Sequence, residues 1–485
     1  MVGSKLIALW LLLPFFLIGC STVPKRLNNE QREDYVISSI LDGQSSDKLS
    51  KKPKELSAYE FLELSTYVRY GANSNLSQSS IGYLNVDKNI SEWEKTTTEK
   101  INASLSEFVN YSFGSFGNLS NYQPRPFEST MLSFNLALNH SISGNNNLAA
   151  IEARKIAQKE AFIQRLNIKV LEAIKDQEKI DYDLGPGVTS ISKIEKIEDY
   201  PIEIFKPKKN EVDLRNSYQS AAANFLAGYI FEAEGDKSLA APAYIKSIEL
   251  MPSSQLFIDS LLNLDKKKNN QNIADVLFVF ELGLSPKLVT KKYRFEVLTK
   301  VGQKFTLITL PVLSDPDKNP EKLSKVFLDQ KELNPELTVD IGQLLKRDLQ
   351  DSMPKYLTMA TSKALLEMSS QLSLRYFTKS LERTDKGLTQ LLGSTLLLGL
   401  YGRGDFDVRS WDSLPESIHM SRISVPYGNH EITFQPNTIP KVTKFKIDKP
   451  YQIINIRIID RNAFFIINKN KAKDDYFEDV MNVAR

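Results

Sequence analysis

The apolar residues in the first half of the chain recur at helical spacing. Tyr59, Leu62 and Tyr67 fall on one face of a helix, and similar sets follow further along. This pattern predicts a mainly helical region over residues 55–265. Glycines and prolines interrupt it near residues 176–212, which indicates an extended insertion there.

After about residue 270 the apolar positions are β-branched or aromatic and come in short runs, which favours strands. Pro311 restricts its run to an edge or to a strand end. Helical spacing then returns, so we expect residues 266–400 to be a mixed α/β region. The predicted strands are 276–280, 294–298 and 305–313, and the predicted helices are 332–371 and 378–400.

The C-terminal region, residues 401–485, alternates apolar and polar residues again. A turn at Pro426-Tyr427-Gly428-Asn429 separates two of its strands, as in an antiparallel pair. The predicted fold class is therefore α+β: mainly helical hairpins, a small mixed middle sheet and a compact antiparallel β unit at the C-terminus. The strands predicted in this unit are 418–425, 430–434, 441–447, 453–459 and 464–467.

Within the helical region the sequence resembles itself at irregular intervals. The clearest copy starts at Ala221 and resembles the tetratricopeptide repeat, in which small residues let two antiparallel helices approach closely and a proline ends the second. A second copy starts near Thr130. A third, around Tyr67, has Leu64 and Leu76 at its small-residue positions, so we expect that hairpin to pack less closely. The packing residues are Gly228, Phe231, Gly235, Ala240, Tyr244 and Pro252 in the first copy, and Ala137, Gly144 and Ala149 in the second.

The N-terminus has the order of features of a lipoprotein signal. Lys5 precedes an uncharged run over residues 6–18, too short to span a bilayer comfortably. The run ends in Leu17-Ile18-Gly19-Cys20, which resembles the bacterial lipobox. The resemblance implies a signal peptide over residues 1–19 and a mature chain held in the membrane by diacylglycerol and N-acyl chains on Cys20. The alternatives are a secretory signal with an incidental cysteine and an uncleaved anchor.

The residue after the lipobox cysteine is Ser21. In enterobacterial-type sorting an aspartate there would retain the protein in the inner membrane, so the resemblance implies the outer membrane, with the body facing the periplasm. Residues 20–54 are polar and lysine-rich and are expected to be a lipid-anchored tether followed by the first helices. About 30 residues would reach at most roughly 100 Å.

Composition excludes several classes of protein. The 485 residues include 62 Lys+Arg and 59 Asp+Glu, a net charge of +3 that is too even for a nucleic-acid coat. A single cysteine excludes internal disulfides and thiolate zinc clusters. Three histidines leave little for imidazole metal sites, so we expect no metal and no cofactor.

Known catalytic motifs are weak or missing in the sequence. Ser45 and Lys48 form S-x-x-K without its usual partner motifs, and the calcium-loop start at Asp315 lacks its glycine and its bidentate glutamate. His140, His419 and His430 lack metal-ligand spacing. No P-loop and no G-x-S-x-G motif occurs. These observations favour a protein that is not an enzyme.

Several segments together resemble a family of bacterial outer-membrane lipoproteins with scattered tetratricopeptide-like hairpins. The resemblance covers roughly residues 55–435 and implies a placement and a fold rather than an activity. The matching segments are 122–128, 151–154, 227–233, 280–286 and 407–415, with the turn at 426–430.

The expected function is a periplasmic binding or scaffold protein that docks an unidentified partner protein on its hairpins. A groove lined by Tyr229, Phe231 and Tyr244 would favour that reading. One alternative is a regulator of peptidoglycan synthesis that reaches through the wall. The other is an envelope enzyme with a cryptic site, for which paired carboxylates would be the sign.

Overall fold

The structure is a computed structural model with a mixed α+β fold. It describes the following residues: 29–42, 44–51, 56–70, 74–104, 107–108, 122, 124–178, 214–266, 272–299, 302–314, 322–371, 406–434, 442–460, 462–466 and 480.

Helices occupy the described part of residues 55–265, as predicted, and one long helix follows later. Their bounds are α1 Asn29–Leu41, α2 Gln44–Lys51, α3 Ala58–Tyr70, α4 Leu76–Ile101, α5 Pro126–Ile142, α6 Asn146–Glu178, α7 Ala221–Ala233, α8 Lys237–Leu250, α9 Gln255–Asn263 and α10 Ile341–Gln371.

Two helical hairpins, α5/α6 and α7/α8, have the same three-residue connection. Gly144 and Gly235 adopt φ of 80° and 79°, a left-handed conformation that glycine adopts without steric cost. The residue after each glycine donates its N–H back into the first helix, over 2.8 Å from Asn145 to the His140 carbonyl and 2.8 Å from Asp236 to the Phe231 carbonyl. This is the closing bond of a Schellman motif, so both hairpins turn in the same way.

Small residues bring paired helices close together, although not always where the sequence pattern placed them. A Cβ on Gly228 would lie 2.6 Å from the Tyr244 ring, so α7 and α8 need glycine there. Between α3 and α4 the close contact is at Gly82, which lies directly against Ser65 and which the sequence pattern did not identify.

The strands form three sheets within the described residues. Two of them have the orders β11-β10-β1-β7-β6 and β5-β4-β8-β9, and β2 pairs with β3 alone. The bounds are β1 Ile273–Leu282, β2 Leu288–Thr299, β3 Gly302–Leu313, β4 Val326–Leu328, β5 Lys331–Leu333, β6 Glu336–Asp340, β7 Ser417–Pro426, β8 Gly428–Phe434, β9 Thr443–Ile447, β10 Tyr451–Ile459 and β11 Asn462–Ile466.

The C-terminal strands do not form the separate antiparallel unit that the sequence suggested. The strand β10 pairs in parallel with β1, with Phe278 opposite Ile454, and β7 pairs with the other edge of β1. Both faces of β1 are buried, because all its residues except Ile273 are covered. The buried backbone N–H and C=O groups along both edges of β1 need hydrogen-bond partners, and the C-terminal strands β10 and β7 supply them.

The predicted helix over 332–371 begins later than its pattern suggested. Residues 336–340 form β6, whose Leu337-Thr338-Val339 core suits a strand. The helix α10 starts only after Asp340, whose carboxylate accepts the Gln343 N–H over 2.9 Å as an N-cap.

The residues expected to be a tether include two helices that pack on the body. Val36 and Ile40 lie one turn apart on α1 and are buried in the main core, together with Leu49 of α2. This four-residue spacing is an amphipathic signal that the polar composition of residues 20–54 obscured. The expectation of a tether therefore fails for residues 29–51.

In each helical hairpin the first helix faces the five-stranded sheet. The helix α3 contacts β11, α5 contacts β10 and α7 contacts β6. The first helices are buried almost throughout: residues 127–140 of α5 and 221–232 of α7 are all covered. The second helices, α4, α6 and α8, form an outer layer.

Candidate functional site

The segment Trp411-Asp412-Ser413 lies where the helical hairpins meet the sheet. Trp411 is fully buried, its ring packs edge-on against Tyr83 at 5.4 Å, and its indole N–H lies 3.0 Å from the hydroxyls of Thr66 and Ser413. The three residues have no regular secondary structure, so their backbone N–H groups need partners from outside the segment.

Two buried glutamates supply those partners. Glu128 accepts the Trp411 N–H at 2.6 Å, and Glu63 accepts the N–H groups of Asp412 at 2.6 Å and Ser413 at 3.2 Å. The helices α5 and α3 position the two carboxylates, because Glu128 is in the first turn of α5 and Glu63 is on the buried face of α3.

The remaining carboxylate oxygens are also occupied. The Oε2 atom of Glu128 accepts the Arg125 N–H at 2.8 Å and the hydroxyl of Tyr122. The Oε2 atom of Glu63 accepts the Tyr67 hydroxyl at 2.9 Å. Burial raises the pKa of Glu63, with the charge of Asp412 adding to it, and burial alone raises that of Glu128; both reach about 7.

Asp412 connects this buried centre to the surface. Its carboxylate lies 2.5 Å from the Lys287 ammonium and 3.8 Å from the Arg32 guanidinium, and it accepts the Tyr59 hydroxyl at 3.1 Å. Because Arg32 belongs to α1 and Lys287 directly precedes β2, Asp412 joins the first helix to the start of the β2–β3 hairpin.

A buried ion pair lies beneath this segment, between the helices and the sheet. Arg69 of α3 is 3.5 Å from Glu281 of β1, and both side chains are almost completely covered. Asn455 of β10 accepts from Arg69 at 3.0 Å and donates to Glu281 at 3.1 Å, while Asn135 of α5 accepts from Arg69 and Tyr70 donates to Glu281. Every element at this junction therefore contributes a polar partner.

A second ionic cluster fastens the α7/α8 hairpin to the sheet. Arg422 of β7 makes two 2.8 Å hydrogen bonds to Asp275 of β1 and one of 2.6 Å to Glu232 of α7. Its guanidinium also donates to the Tyr244 hydroxyl of α8 at 3.0 Å. The bidentate contact between Arg422 and Asp275 fixes the orientation of the guanidinium as well as its distance.

The aromatic residues expected to line an open groove are core residues. Tyr229, Phe231 and Tyr244 are all buried, and the Tyr229 hydroxyl donates to the Asp275 carbonyl at 2.7 Å. The physical reason is that α7 lies between the sheet and the outer helices. The sequence pattern identified contact residues correctly, but it did not show that the sheet covers them.

The other predicted packing residues occupy buried or turn positions. Ala137, Ala149 and Ala240 are fully buried, Gly144 and Gly235 form the turns, and exposed Pro252 follows the C-cap residue of α8, Met251. The lipobox residues Leu17, Ile18, Gly19 and Cys20 lie outside the described residues, as do the calcium-like loop from Asp315 and the helix predicted over residues 378–400.

The three histidines lie apart from one another and from this site. Burial lowers the pKa of His140 to about 3 and that of His419 to about 4. His430 lies between two acceptors, with the Asp329 carboxylate 2.5 Å from Nδ1 and the Pro426 carbonyl 2.8 Å from Nε2. Within the described ranges no three His, Cys, Asp or Glu side chains are grouped to hold a metal ion.

This arrangement is suited to holding a fold together. A general base must lie within hydrogen-bond reach of a substrate, whereas Glu63 and Glu128 are buried and each of their four oxygens accepts a hydrogen bond from the protein itself. Sequence reasoning did not single out either glutamate. The signal that could have found them is acidic residues within the apolar segments Phe61-Leu62-Glu63-Leu64 and Pro126-Phe127-Glu128.

Comparisons with protein-family models, curated proteins and solved structures find no match to this chain. No helix in the part of the chain that the structure describes is long and apolar enough to cross a membrane.

Proposed function

We propose that this chain is a lipid-anchored scaffold of the bacterial outer membrane, that its body faces the periplasm, and that it docks a partner protein on its outer helices. The proposal includes acylation of Cys20 and membership of the lipoproteins with tetratricopeptide-like hairpins. The turns at Gly144 and Gly235, which have the same geometry, and the close contact at Gly228 support the interpretation of these hairpins as tetratricopeptide-like repeats.

The observation that carries the docking proposal is the contrast between inner and outer helices. The inner helices face the chain's own sheet, so the side that a solenoid would offer to a peptide is occupied. On α6, Ile168 and Leu171 lie one turn apart and are 53% and 50% exposed, and Ile245 of α8 is 46% exposed. Apolar side chains at helical spacing on an outer surface suit a partner helix or an extended segment.

The short link to the membrane favours a scaffold over a regulator that crosses the wall. Only residues 21–28 separate Cys20 from α1, and a chain of that length can span at most about 30 Å rather than the roughly 100 Å expected for a longer tether. A scaffold that acts next to the outer membrane needs no longer reach.

The alternative of an envelope enzyme would use paired carboxylates. Glu63 and Glu128 are two of several buried carboxylates, and their oxygens accept hydrogen bonds from the Trp411–Ser413 segment and nearby tyrosines. This occupancy favours the scaffold proposal over the enzyme.

Palmitate labelling of cells tests the anchor. We expect label on the wild-type chain and none on Cys20→Ser, and retained label on the variant would contradict acylation at this position.

Photocrosslinking in cells tests the docking surface. A photoreactive amino acid at Ile168 or Ile245 should give a crosslinked adduct of one discrete mass, whereas the same residue at Lys444, exposed on β9, should give none. Equal adducts at all three positions, or none at the outer helices, would contradict docking there.

A further inference from the structure

The β2–β3 hairpin has one covered face and one open face. Tyr293 pairs with Ile308 on the covered face, and both are buried where the hairpin packs on α10. On the other face Arg294 of β2 lies opposite Leu307 of β3, and Phe305 lies two residues before Leu307 in β3. Leu307 is 61% exposed and Phe305 is 48% exposed, so the described residues leave this face uncovered.

The open face combines apolar side chains with positive charge. The Arg294 guanidinium lies 3.7 Å above the Phe305 ring, a cation–π contact at the surface. Lys292 is exposed on the same face. The register also places Glu296 on this face, opposite Phe305, so the face has two basic residues and one acidic residue. The whole segment 288–313 has five basic residues (Lys291, Lys292, Arg294, Lys300 and Lys304) against that single acidic one.

The hairpin also begins beside the N-terminal end of the fold. Arg32 of α1 and Lys287, which directly precedes β2, both contact Asp412. The helix α1 begins at Asn29, so Cys20 can lie at most about 30 Å from the start of α1. Each strand of the hairpin has 12 residues, a length of about 40 Å, so the hairpin is long enough to reach a membrane to which Cys20 is attached.

We propose that this open face, formed by Lys292, Arg294, Phe305 and Leu307, docks on a membrane surface rich in anionic phospholipid. The aromatic and aliphatic side chains would enter the headgroup region, and the basic side chains would pair with lipid phosphates. The proposal uses the lipobox reading only to place the membrane close to the hairpin. It is independent of any partner protein on the outer helices.

Vesicle sedimentation tests whether the open face binds anionic lipid in a chain that is not acylated. The chain from Ser21 to Arg485 contains every residue that the structure describes, and it is mixed with vesicles of phosphatidylcholine alone or with about one third phosphatidylglycerol. The variant Phe305→Ser/Leu307→Ser removes the apolar part of the open face. The matched control, Ile168→Ser/Leu171→Ser, removes two equally exposed apolar residues from α6.

We expect the wild-type chain and the α6 control to bind the anionic vesicles alike, and Phe305→Ser/Leu307→Ser to bind about tenfold or more weakly. Lys292→Gln should weaken binding about fivefold, and added salt should weaken it further. Circular dichroism confirms that each variant is folded.

Three results would overturn the proposal: no binding by the wild-type chain, equal binding by the hairpin variant, or a wild-type dimer in sedimentation equilibrium that this variant dissociates. The last result would mean that a second copy covers the face. A failure of the outer-helix crosslinking with intact vesicle binding would reject only the scaffold proposal.

Discussion

At the scale of single residues, Glu63 and Glu128 hold the same backbone segment but distribute their hydrogen bonds differently. Both backbone donors to Glu63 reach Oε1, whereas Oε2 accepts the hydroxyl of Tyr67. Glu128 accepts a backbone N–H on each oxygen, from Trp411 and from Arg125. This difference decides which carboxylate an amide can replace.

Glu128→Gln should destabilise the protein by about 1–3 kcal/mol, because its NH₂ group must face a backbone N–H in either orientation. Glu63→Gln should cost much less, since its NH₂ group can face the Tyr67 oxygen, which accepts a hydrogen bond. Urea unfolding at pH 7 measures both. Equal losses in the two variants would show that charge, rather than the direction of the hydrogen bonds, matters here.

The raised pKa values of the glutamates predict a pH dependence of defined sign. A carboxyl whose pKa rises from 4.5 to about 7 binds its proton more tightly in the folded state. Its contribution to stability is therefore full below about pH 4.5 and is lost as pH rises through 7. Protonation is tolerated because the acid keeps a lone pair on each oxygen.

Comparison with Glu63→Gln isolates this effect, because the amide in that variant does not titrate. As pH falls from 7 to 5, the wild type should gain stability relative to the variant in urea unfolding. Other groups with shifted pKa values, among them Glu160, His140 and His419, contribute equally in both proteins. Their contributions therefore cancel in the difference between the two free energies of unfolding. A constant difference across this range would contradict the raised pKa of Glu63.

Single-residue roles were only partly readable from the sequence. The small residues at Gly144, Gly228 and Gly235 stand out because their spacing is local and repeats. Glu63 and Glu128 did not stand out, because their partners lie about 350 and 283 positions away along the chain. A buried carboxylate is recognisable only when its donors are known.

At the scale of elements, two helix pairs contain a glycine at a close contact, and the two sites differ in how well they accommodate a larger side chain. Gly228 faces the Tyr244 ring, which a 2.7 Å hydrogen bond to Glu232 holds in place. Gly82 faces the Ser65 hydroxyl, which has no hydrogen-bond partner among the described residues and can rotate away.

Gly228→Ala should therefore destabilise the protein by about 1–3 kcal/mol through overpacking, although alanine is the better helix former by about 1 kcal/mol. Gly82→Ala should cost less, and adding Ser65→Ala should recover part of that loss. Thermal unfolding of the three variants checks the order. A Gly82→Ala variant less stable than Gly228→Ala would contradict the rigid role of Tyr244.

Element type was readable from the sequence wherever the pattern was long or alternating. The strand runs at 276–280, 418–425 and 453–459 all lie inside strands of the structure. The pattern failed at residues 332–340, where two short strands precede a long helix that begins only at the Asp340 cap. A strand of three to five residues is too short for its two-residue hydrophobic period to be distinguished from the 3.6-residue period of a helix.

At the scale of the whole molecule, the buried pair Arg69–Glu281 joins the helical layers to the sheet. Arg69→Met should cost about 3–5 kcal/mol, because it leaves Glu281 buried without its cation. The double variant Arg69→Met/Glu281→Leu should recover part of this loss. Unfolding followed by circular dichroism and by tryptophan fluorescence should coincide in the wild type, since one junction couples both layers.

The exposed pair Lys246–Glu249 is the control for this prediction. Its side chains are 34% and 50% exposed, so Lys246→Met should change stability by less than about 1 kcal/mol. Equal losses at the two sites would contradict the role assigned to the buried pair.

The pairing of strands was beyond the reach of one sequence. The strand β1 lies between β7 and β10, which follow it by more than a hundred residues, and alternation shows that a strand exists but not which strand it pairs with. The α+β class was predictable, whereas the parallel pairing of β1 with β10 was not.

That pairing also sets the order in which the protein can be completed during synthesis. The inner face of α5 is covered by β10 and that of α3 by β11, the last strands of the described chain. At about 5–20 residues per second, roughly ten seconds to half a minute separate the emergence of β1 from that of β10. Throughout that interval the apolar inner faces of α3 and α5 are uncovered, and a holding chaperone would bind there. A truncation that removes only β10 and β11 would therefore expose helices near the start of the chain.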